Sequence, residues 1–228
     1  MTILVATGLQ REQRLLGGPG VTVVAGGGDA ARLEATLGRA AAGVRGIISI
    51  GIAGGLSPAL RSGHWVVATA VLDKSVAIPT DSAWAHRLLD RLPGAITGTI
   101  FGVDAVVAET ARKSELHRAT GAAAVDMESH IAGRVARRLR LPFAAARVIS
   151  DAAHQTLPPA ARVGMRLDGT IDLLAVLRSL TERPGQLGAL IRTGIDAELS
   201  FRALLRGHRF LGPGLCGPAV GELPLDVV

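Results

Sequence analysis

Two apolar segments of this sequence end in carboxylates, and one predicted helix separates them. The segment 122–126 leads into Asp126 and Glu128, and the segment 143–150 leads into Asp151. Ligands of α/β proteins usually bind at the carboxyl ends of the strands. Two acids delivered there could hold one small molecule between them, as general acid, general base or hydrogen-bond acceptor.

The elements that would carry these acids alternate along the first part of the chain. Val/Ile-rich segments predict strands at 3–8, 21–25, 47–50, 64–72, 97–103, 122–126 and 143–150. Ala/Leu/Arg-rich patterns predict helices at 29–42, 81–92, 113–120, 129–139 and 170–180. This alternation favours a three-layer α/β/α fold with a mixed, largely parallel central sheet.

The composition changes near Arg183, where the strand patterns end. We therefore divide the chain into a catalytic domain, 1–182, and a helical and irregular C-terminal extension, 183–228. Leu187, Ile191, Ile195 and Leu199 recur every four residues, so they share one stripe of a helix. We expect this stripe to pack on its own domain; a face toward a membrane or another subunit is the alternative. We expect the end, from Gly212 onward, to be irregular and partly mobile.

The charge balance is basic, with a formal net charge of +6 and an estimated pI of 11.0. Only 3% of the residues are aromatic and Tyr is absent, so the stacking residues of single-strand nucleic-acid binders are lacking. The basic residues are dispersed, and a general bias toward Ala, Gly and Arg explains them. We predict no nucleic-acid partner, and an anionic membrane surface is the better functional alternative.

The single cysteine, Cys216, excludes an internal disulfide and gives no zinc cluster. The sequence shows neither a signal peptide nor an apolar run long enough to span a membrane. We therefore expect a cytoplasmic protein without a metal or an organic cofactor.

The glycine-rich segments show whether the sequence contains a known nucleotide-binding motif. No Gly-x-Gly-x-x-Gly follows the first strand, and neither a P-loop nor a Gly-x-Ser-x-Gly elbow occurs, which excludes those three motifs. The segment 51–55, Gly-Ile-Ala-Gly-Gly, remains the strongest candidate, because glycines let a backbone approach a ligand closely. Ala53 and Gly54 are therefore predicted to bind substrate; a plain turn into Pro58 is the alternative.

Four segments, 7–12, 51–56, 125–129 and 150–152, together resemble the purine nucleoside phosphorylase and nucleosidase superfamily, in its order. The segments 26–34, 126–130, 164–166 and 183–187 resemble its hopanoid-associated phosphorylase branch. The resemblance implies a nucleoside phosphorylase-like fold and cleavage of the N-glycosidic bond of a purine nucleoside. The finer likeness implies adenosylhopane as the lipid-linked substrate, with adenine released.

The resemblance also implies roles for individual residues. Asp151 is the predicted acid that protonates the purine at N7, and Ser150 orients it; burial would make an aspartate a better acid at neutral pH. Glu128 is the predicted clamp on the ribose hydroxyls, with Met127 packed under the sugar. Val125 completes the predicted substrate-binding set. The bland alternatives are that Asp151 only caps the next segment and that Asp126 and Glu128 only start a helix.

Glu12 is the predicted general base, by analogy with the water-activating glutamate of the nucleosidases. A surface glutamate paired with Arg11 and Arg14 is its alternative. Inorganic phosphate is the alternative co-substrate, and the candidate cations for it are Arg11, Arg14, Arg61 and Arg147. Ile52 stands where hydrolytic relatives commonly carry serine, which keeps open a nucleoside-binding module without turnover.

Three further expectations follow from the resemblance. One is a homo-oligomer, since pockets in the family often borrow residues from a neighbouring subunit. Another is peripheral contact with the inner face of the membrane. The last is an alternative substrate class, soluble purine nucleosides such as methylthioadenosine.

Overall fold

The computed structural model describes residues 2–163 and 173–218. The strands are β1 (Ile3–Thr7), β2 (Val21–Ala25), β3 (Gly46–Gly55), β4 (Trp65–Asp73), β5 (Val76–Pro79), β6 (Ile96–Gly102), β7 (Ala124–Asp126) and β8 (Phe143–Asp151). The α-helices are α1 (Gln10–Leu16), α2 (Ala30–Ala40), α3 (Ser82–Arg91), α4 (Thr110–Thr120), α5 (Ser129–Arg138), α6 (Pro159–Val163), α7 (Leu173–Glu182) and α8 (Leu187–Leu211). A short 3₁₀ turn, Pro184–Gln186, precedes α8.

One mixed sheet carries the fold, in the order β2-β1-β3-β7-β6-β4-β5, and β8 pairs with both β3 and β4. Strand β3 runs parallel to β1 and β8 and antiparallel to β7. Strands β4 and β6 are parallel, as are β6 and β7. The pairing of β8 with β3 and β4 closes the path β3-β7-β6-β4-β8 into a ring. The predicted mixed, largely parallel sheet is confirmed.

Helices cover both faces of the sheet, which confirms the three-layer α/β/α fold. On one face, Leu33 and Leu37 of α2 and Ile131 of α5 join the buried core. On the other face, Trp84 of α3 and Leu204 of α8 pack against the strands. Because the central strands β1, β3 and β8 are buried on both sides, they are near-continuous apolar runs, as expected for parallel pairing.

Local signals account for where several helices begin. The Asp29 carboxylate accepts a hydrogen bond from the Arg32 amide (2.9 Å), and Asp81 accepts one from the Trp84 amide (2.7 Å). Each aspartate thus satisfies an amide that the first turn of a helix leaves unpaired. Helix α2 therefore begins where the sequence predicts it.

Helix α8 divides into two unlike halves. Its second half is buried against the sheet through Phe201, Leu204 and Leu211. Its first half leaves the apolar stripe in solvent: Leu187, Ile191, Ile195 and Leu199 are 47–58% exposed. The prediction that this stripe packs on its own domain is wrong, because no element of the described chain covers that face. Within residues 2–163 and 173–218, no helix combines the length and apolar character needed to cross a membrane.

Residues 212–218, which follow α8, make hydrogen bonds to the rest of the fold. The Trp84 indole donates to the Leu215 carbonyl (2.9 Å), and the Arg45 guanidinium donates to the Pro218 carbonyl (2.7 Å). Residues 212–218 are therefore bonded to α3 and to the residue before β3, and the expected mobility of the end stays a prediction. The division at residue 183 stays a prediction, although α8 itself contacts β8, β3 and α3.

A few element boundaries differ from the predicted ones. Strand β3 continues through the glycine segment to Gly55, so this segment is not a loop. The edge strand β5 and the short helix α6 were not predicted. The start of the predicted helix 170–180, the segment 164–166 and residues 219–228 lie outside the described part of the chain.

Candidate active site

A single pocket brings together all eight predicted site residues. It is lined by Glu12, Ala53, Gly54, Val125, Met127, Glu128, Ser150 and Asp151, together with Gly8, Leu9, Gly28, Ile52, Val103, Val106, Val107, Asp126 and Leu157. Strand β3 joins its two ends, since Gly54 pairs with Val125 of β7 and with Asp151 of β8. The two carboxylate-bearing strands, β7 and β8, therefore lie on either side of β3.

Glu12 is buried in the first turn of α1, with 1% of its surface exposed. Its Oε2 accepts hydrogen bonds from the Gly8 amide (2.9 Å), the Leu9 amide (2.8 Å) and the Thr7 hydroxyl. Its Oε1 accepts one from the Ile52 amide (2.7 Å). The bond to Leu9 belongs to the helix start, which explains the rigid placement. The alternative of a surface glutamate paired with Arg11 and Arg14 is wrong.

Glu128 and Asp126 surround one buried guanidinium. The Nη2 atom of Arg147 lies 3.4 Å from Glu128 Oε2 and makes an ion pair with Asp126 Oδ2. Arg147 also donates to Ser49 Oγ (2.6 Å). Asp126 Oδ2 accepts the Ser129 amide (3.1 Å), so Asp126 both starts α5 and holds Arg147. That agrees with a structural role for Asp126.

Burial, followed by the neighbouring charges, sets the protonation of Glu128. Burial raises its pKa to about 8; the guanidinium of Arg147 acts in the opposite direction, and the negative charges of Asp126 and Glu12 add to the rise. At neutral pH Glu128 is therefore mostly a neutral carboxylic acid that can donate as well as accept. Burial alone would lower the pKa of Arg147, but Asp126 and Glu128 outweigh it and the pKa is raised.

Asp151, at the end of β8, has a different partner. The Lys113 ammonium of α4 donates to Asp151 Oδ2 at 2.5 Å, and Ser150 Oγ lies 2.6 Å from Asp151 Oδ1. Ser150 Oγ also lies 3.1 Å from the Ala53 carbonyl, and a hydroxyl has a single hydrogen to share between the two acceptors. Asp151 does not cap a helix; it is held from both sides.

The glycines of the predicted segments make room for carboxylates. A Cβ built on Gly8 would lie 2.8 Å from Glu128 Oε1. A Cβ on Gly51 would lie 2.5 Å from Glu12 Oε1 and 2.7 Å from Arg147 Nη1. Side-chain atoms essentially never approach that closely, so the acids can converge only because these positions lack side chains.

The four candidate phosphate-binding arginines do not line the pocket. Arg147 is fully buried behind the carboxylates. Arg11 is a surface residue that pairs with Glu198 (2.6 Å) and stacks on Phe201, with 4.0 Å between Arg11 Cζ and the ring centroid. Arg14 and Arg61 are exposed. The prediction of a phosphate site built from these residues is therefore not supported by their positions.

Sequence reasoning missed two functional contacts. Lys113 stands in a charged segment, 112–115, that is typical of a solvated helix face, and nothing local predicts its burial. The buried ion pairs of Arg147 could have been predicted from the sequence, because a charged residue inside the apolar run 144–149 indicates a buried ion pair. That signal, with Asp126 and Glu128 as the partners, could have found the cluster.

Comparisons with known proteins identify the family and the fold. The sequence profile described as the phosphorylase superfamily matches residues 7–168. No match was found among curated protein sequences.

Solved structures share the fold at low sequence identity. The 5'-methylthioadenosine/S-adenosylhomocysteine nucleosidase of Helicobacter pylori superposes with a TM-score of 0.64 at 17% identity, over 92% of this chain and 96% of that chain. The futalosine hydrolase of the same organism gives 0.64 at 16% identity, over 94% and 97%. The corresponding nucleosidase of S. pneumoniae gives 0.59 at 16% identity, over 91% and 99%.

Proposed function

The chain belongs to the phosphorylase superfamily and is thus an enzyme of N-glycosidic bond cleavage; from this premise we propose that it hydrolyses a purine nucleoside, with water rather than phosphate as the nucleophile. The single observation that carries the choice of water is the charge of the pocket. Four carboxylates line it, Glu12, Asp126, Glu128 and Asp151, and no Lys or Arg does among the described residues. An anion such as phosphate would meet acidic side chains and no cationic side chain in this lining, whereas a neutral water can hydrogen-bond to them.

Cleavage of a ribose–purine bond passes through an oxocarbenium-like sugar and a base that leaves poorly as an anion. Glu12 accepts the proton of the attacking water. Its four donors hold the carboxylate in place, and only one of them bonds to Oε1, so this oxygen can accept a further hydrogen bond from a water. The oxygen of the water bonds to the anomeric carbon, and the electron pair of the C–N bond leaves with the base.

Glu128 holds the ribose. In its neutral form the carboxyl group donates to one sugar hydroxyl and accepts from the other. Met127, beside it in the pocket lining, supplies the apolar surface under the ring. Asp151 faces the base and gives it a proton, so that adenine departs as a neutral molecule.

The test is product analysis with the purified full chain. Adenosine, methylthioadenosine and adenosylhopane are each incubated with and without inorganic phosphate, and adenine and the sugar product are quantified. Hydrolysis predicts adenine release that does not depend on phosphate and a free reducing sugar. A sugar 1-phosphate formed only with phosphate would overturn the choice of water. No adenine release from any substrate would leave the nucleoside-binding module as the function.

A lipid-linked nucleoside, adenosylhopane, is the substrate that we propose within this class. Apolar residues border the pocket, among them Val103, Val106 and Val107, and Val106 is 41% exposed. A second cavity lies between the loop 151–157 and the first half of α8, and it shares Asp151 and Leu157 with the site. An apolar substituent on the sugar could pack against the valine surface, whereas the second cavity is lined mostly by polar residues.

Peripheral contact with an anionic membrane is part of the same proposal. The exposed apolar stripe belongs to the same first half of α8 that borders the second cavity, and Arg192, Arg202, Arg206 and Arg209 of α8 are exposed as well. Apolar residues flanked by arginines are typical of helices that lie on anionic lipid.

Vesicle co-sedimentation tests the contact. Phosphatidylglycerol vesicles should bind the wild type, and the double substitution Ile191→Ser/Ile195→Ser should weaken binding. Val76→Ser/Ile96→Ser removes comparable exposed apolar groups elsewhere and should not. Equal binding by both variants would refute the membrane contact. Homo-oligomerisation, which the resemblance implies, is measured by light scattering on the same samples; it stays a prediction.

A further inference from the structure

Lys113 is a fully buried cation that the proposed chemistry does not yet use. Its exposed surface is 0%, and its ammonium donates to three oxygens: Asp151 Oδ2 (2.5 Å), the Gln155 carbonyl (2.9 Å) and the Ala152 carbonyl (3.0 Å). An ammonium has three hydrogens, so every donor is used. Burying a charge is costly unless it is paired and hydrogen-bonded, and both conditions are met here.

These contacts tie the acid to a wider frame. Lys113 belongs to α4, whereas its three acceptors belong to the end of β8 and the loop after it. In that loop, the Gln155 side chain accepts from the Ala152 amide (2.7 Å) and donates to Asp196 of α8 (2.7 Å). The ammonium thus joins α4, the loop and, through Gln155, α8. Asp151 cannot turn away from the pocket without breaking this frame.

We propose that Lys113 is the positioning residue of the acid: it holds Asp151 toward the leaving base and neutralises the carboxylate that remains after proton transfer. The inference rests on the proposed function and extends it by one residue. In the step itself, Asp151, which first takes up a proton from solvent, passes that proton to a ring nitrogen of the base, and the base takes the electron pair of the C–N bond. The new carboxylate then faces the ammonium at hydrogen-bond distance, which stabilises the charge where it forms.

A substrate that needs no acid separates this role from a merely structural one. The 4-nitrophenolate of 4-nitrophenyl β-D-ribofuranoside leaves as an anion without a proton, whereas adenine does not. Lys113→Met should therefore lower kcat for the purine nucleoside by about 10²-fold, the usual contribution of a general acid. Hydrolysis of the nitrophenyl riboside should fall by less than about threefold, since Glu12 and Glu128 are untouched.

The chain offers a matched control, because it contains only two lysines. Lys74 lies exposed in the turn between β4 and β5, so Lys74→Met makes the same change away from the site. It should leave both activities unchanged. If Lys113→Met does not fold, Lys113→Gln keeps an N–H donor near the three oxygens and should show the same substrate pattern with a smaller loss.

A double-mutant cycle shows whether Lys113 acts through Asp151. Asp151→Asn alone and Asp151→Asn with Lys113→Met should have the same residual kcat for the purine nucleoside. Multiplying losses would overturn the inference, as would equal losses of Lys113→Met on both substrates. If the wild type does not cleave the nitrophenyl riboside, the purine nucleoside alone is used. In that case a raised KM with an unchanged kcat in Lys113→Met would overturn the inference. A wild type that cleaves no purine nucleoside refutes the proposed function instead, so the two failures are distinguishable.

Discussion

Acidic side chains lie at both ends of the pocket, but the number of acids for each buried cation differs between the two ends. At the sugar end, Glu12, Asp126 and Glu128 surround the single guanidinium of Arg147, so three acids face one cation. At the base end, Asp151 faces Lys113, one acid to one cation. Burial raises the pKa of Glu128, and the negative charges of Asp126 and Glu12 add to the rise, so Glu128 is the neutral acid of the sugar end. The carboxylates at the two ends thus differ in chemistry through their burial and the charges around them.

The largest effect should appear when the base end loses its acid. Asp151→Asn removes the proton donor and should lower kcat for the purine nucleoside by about 10²–10⁴-fold. Glu128→Gln should cost only about tenfold, because an amide resembles the neutral carboxylic acid that Glu128 mostly is and loses roughly one hydrogen bond. Steady-state kinetics on both variants checks this. Similar losses would remove the proposed difference between the ends.

Removing the cation at the sugar end should chiefly lower the free energy of unfolding. Arg147→Met leaves Asp126 and Glu128 buried without their guanidinium, and losing one partner of a buried ion pair costs about 3–5 kcal/mol in the free energy of unfolding. Arg138→Met is the matched control: Arg138 pairs with Glu34 (2.7 Å), but its side chain is 55% exposed. Such surface pairs contribute about 1 kcal/mol or less.

Urea unfolding of both variants measures the difference. Comparable losses in the two would show that the sugar-end cluster gains nothing from its burial, and the assigned charge balance would be wrong there.

Stability should also depend on pH through the sugar end. The pKa of Glu128 is about 8 in the folded protein, against 4.5 as its ordinary value. Between these values the folded state binds a proton that the unfolded state does not. The stabilisation is therefore complete below 4.5 and is lost as the pH rises through 8, with a slope of up to about 1.4 kcal/mol per pH unit.

Unfolding at pH 5, 6, 7 and 8 measures this slope, and Glu128→Gln should flatten it. A slope that is unchanged in Glu128→Gln would place the titrating group elsewhere.

Local sequence signals predicted most of the elements and the site-forming segments, but not what lies across the fold. Asp29 and the apolar run of β8 are local signals, and the elements they predict are present. Strand β5 was missed because its turn from β4 contains Lys74 at φ 56°, without the Asn-Gly or Asp-Gly pair that marks hairpins. The stripe of α8 has helical periodicity, but periodicity does not tell whether another element covers it.

The charged partners of the site residues could be identified only from the tertiary structure. Lys113 is 38 positions before Asp151 in sequence, within a helix that carries almost no apolar face, so only the packing of α4 on the loop after β8 buries it. Asp126, Glu128 and Asp151 were predictable because each stands at or just after the end of an apolar strand, whereas Glu12 was predicted from the family resemblance. The protonation of Glu128 was not predictable, since it depends on its burial and on the charges that surround it.

The smallest predicted effect concerns packing around the two ends. A Cβ at Gly51 would lie 2.5 Å from Glu12 Oε1, whereas a Cβ at Gly54 would lie 3.4 Å from Asp151 Oδ2. Gly51→Ala should therefore overpack the sugar end and lower the free energy of unfolding by about 1–3 kcal/mol. Gly54→Ala should change it by less than about 1 kcal/mol, because reduced freedom of the unfolded chain offsets a mild contact. Thermal unfolding compares the two, and an equal or larger loss in Gly54→Ala would mean that the base end is the tighter of the two.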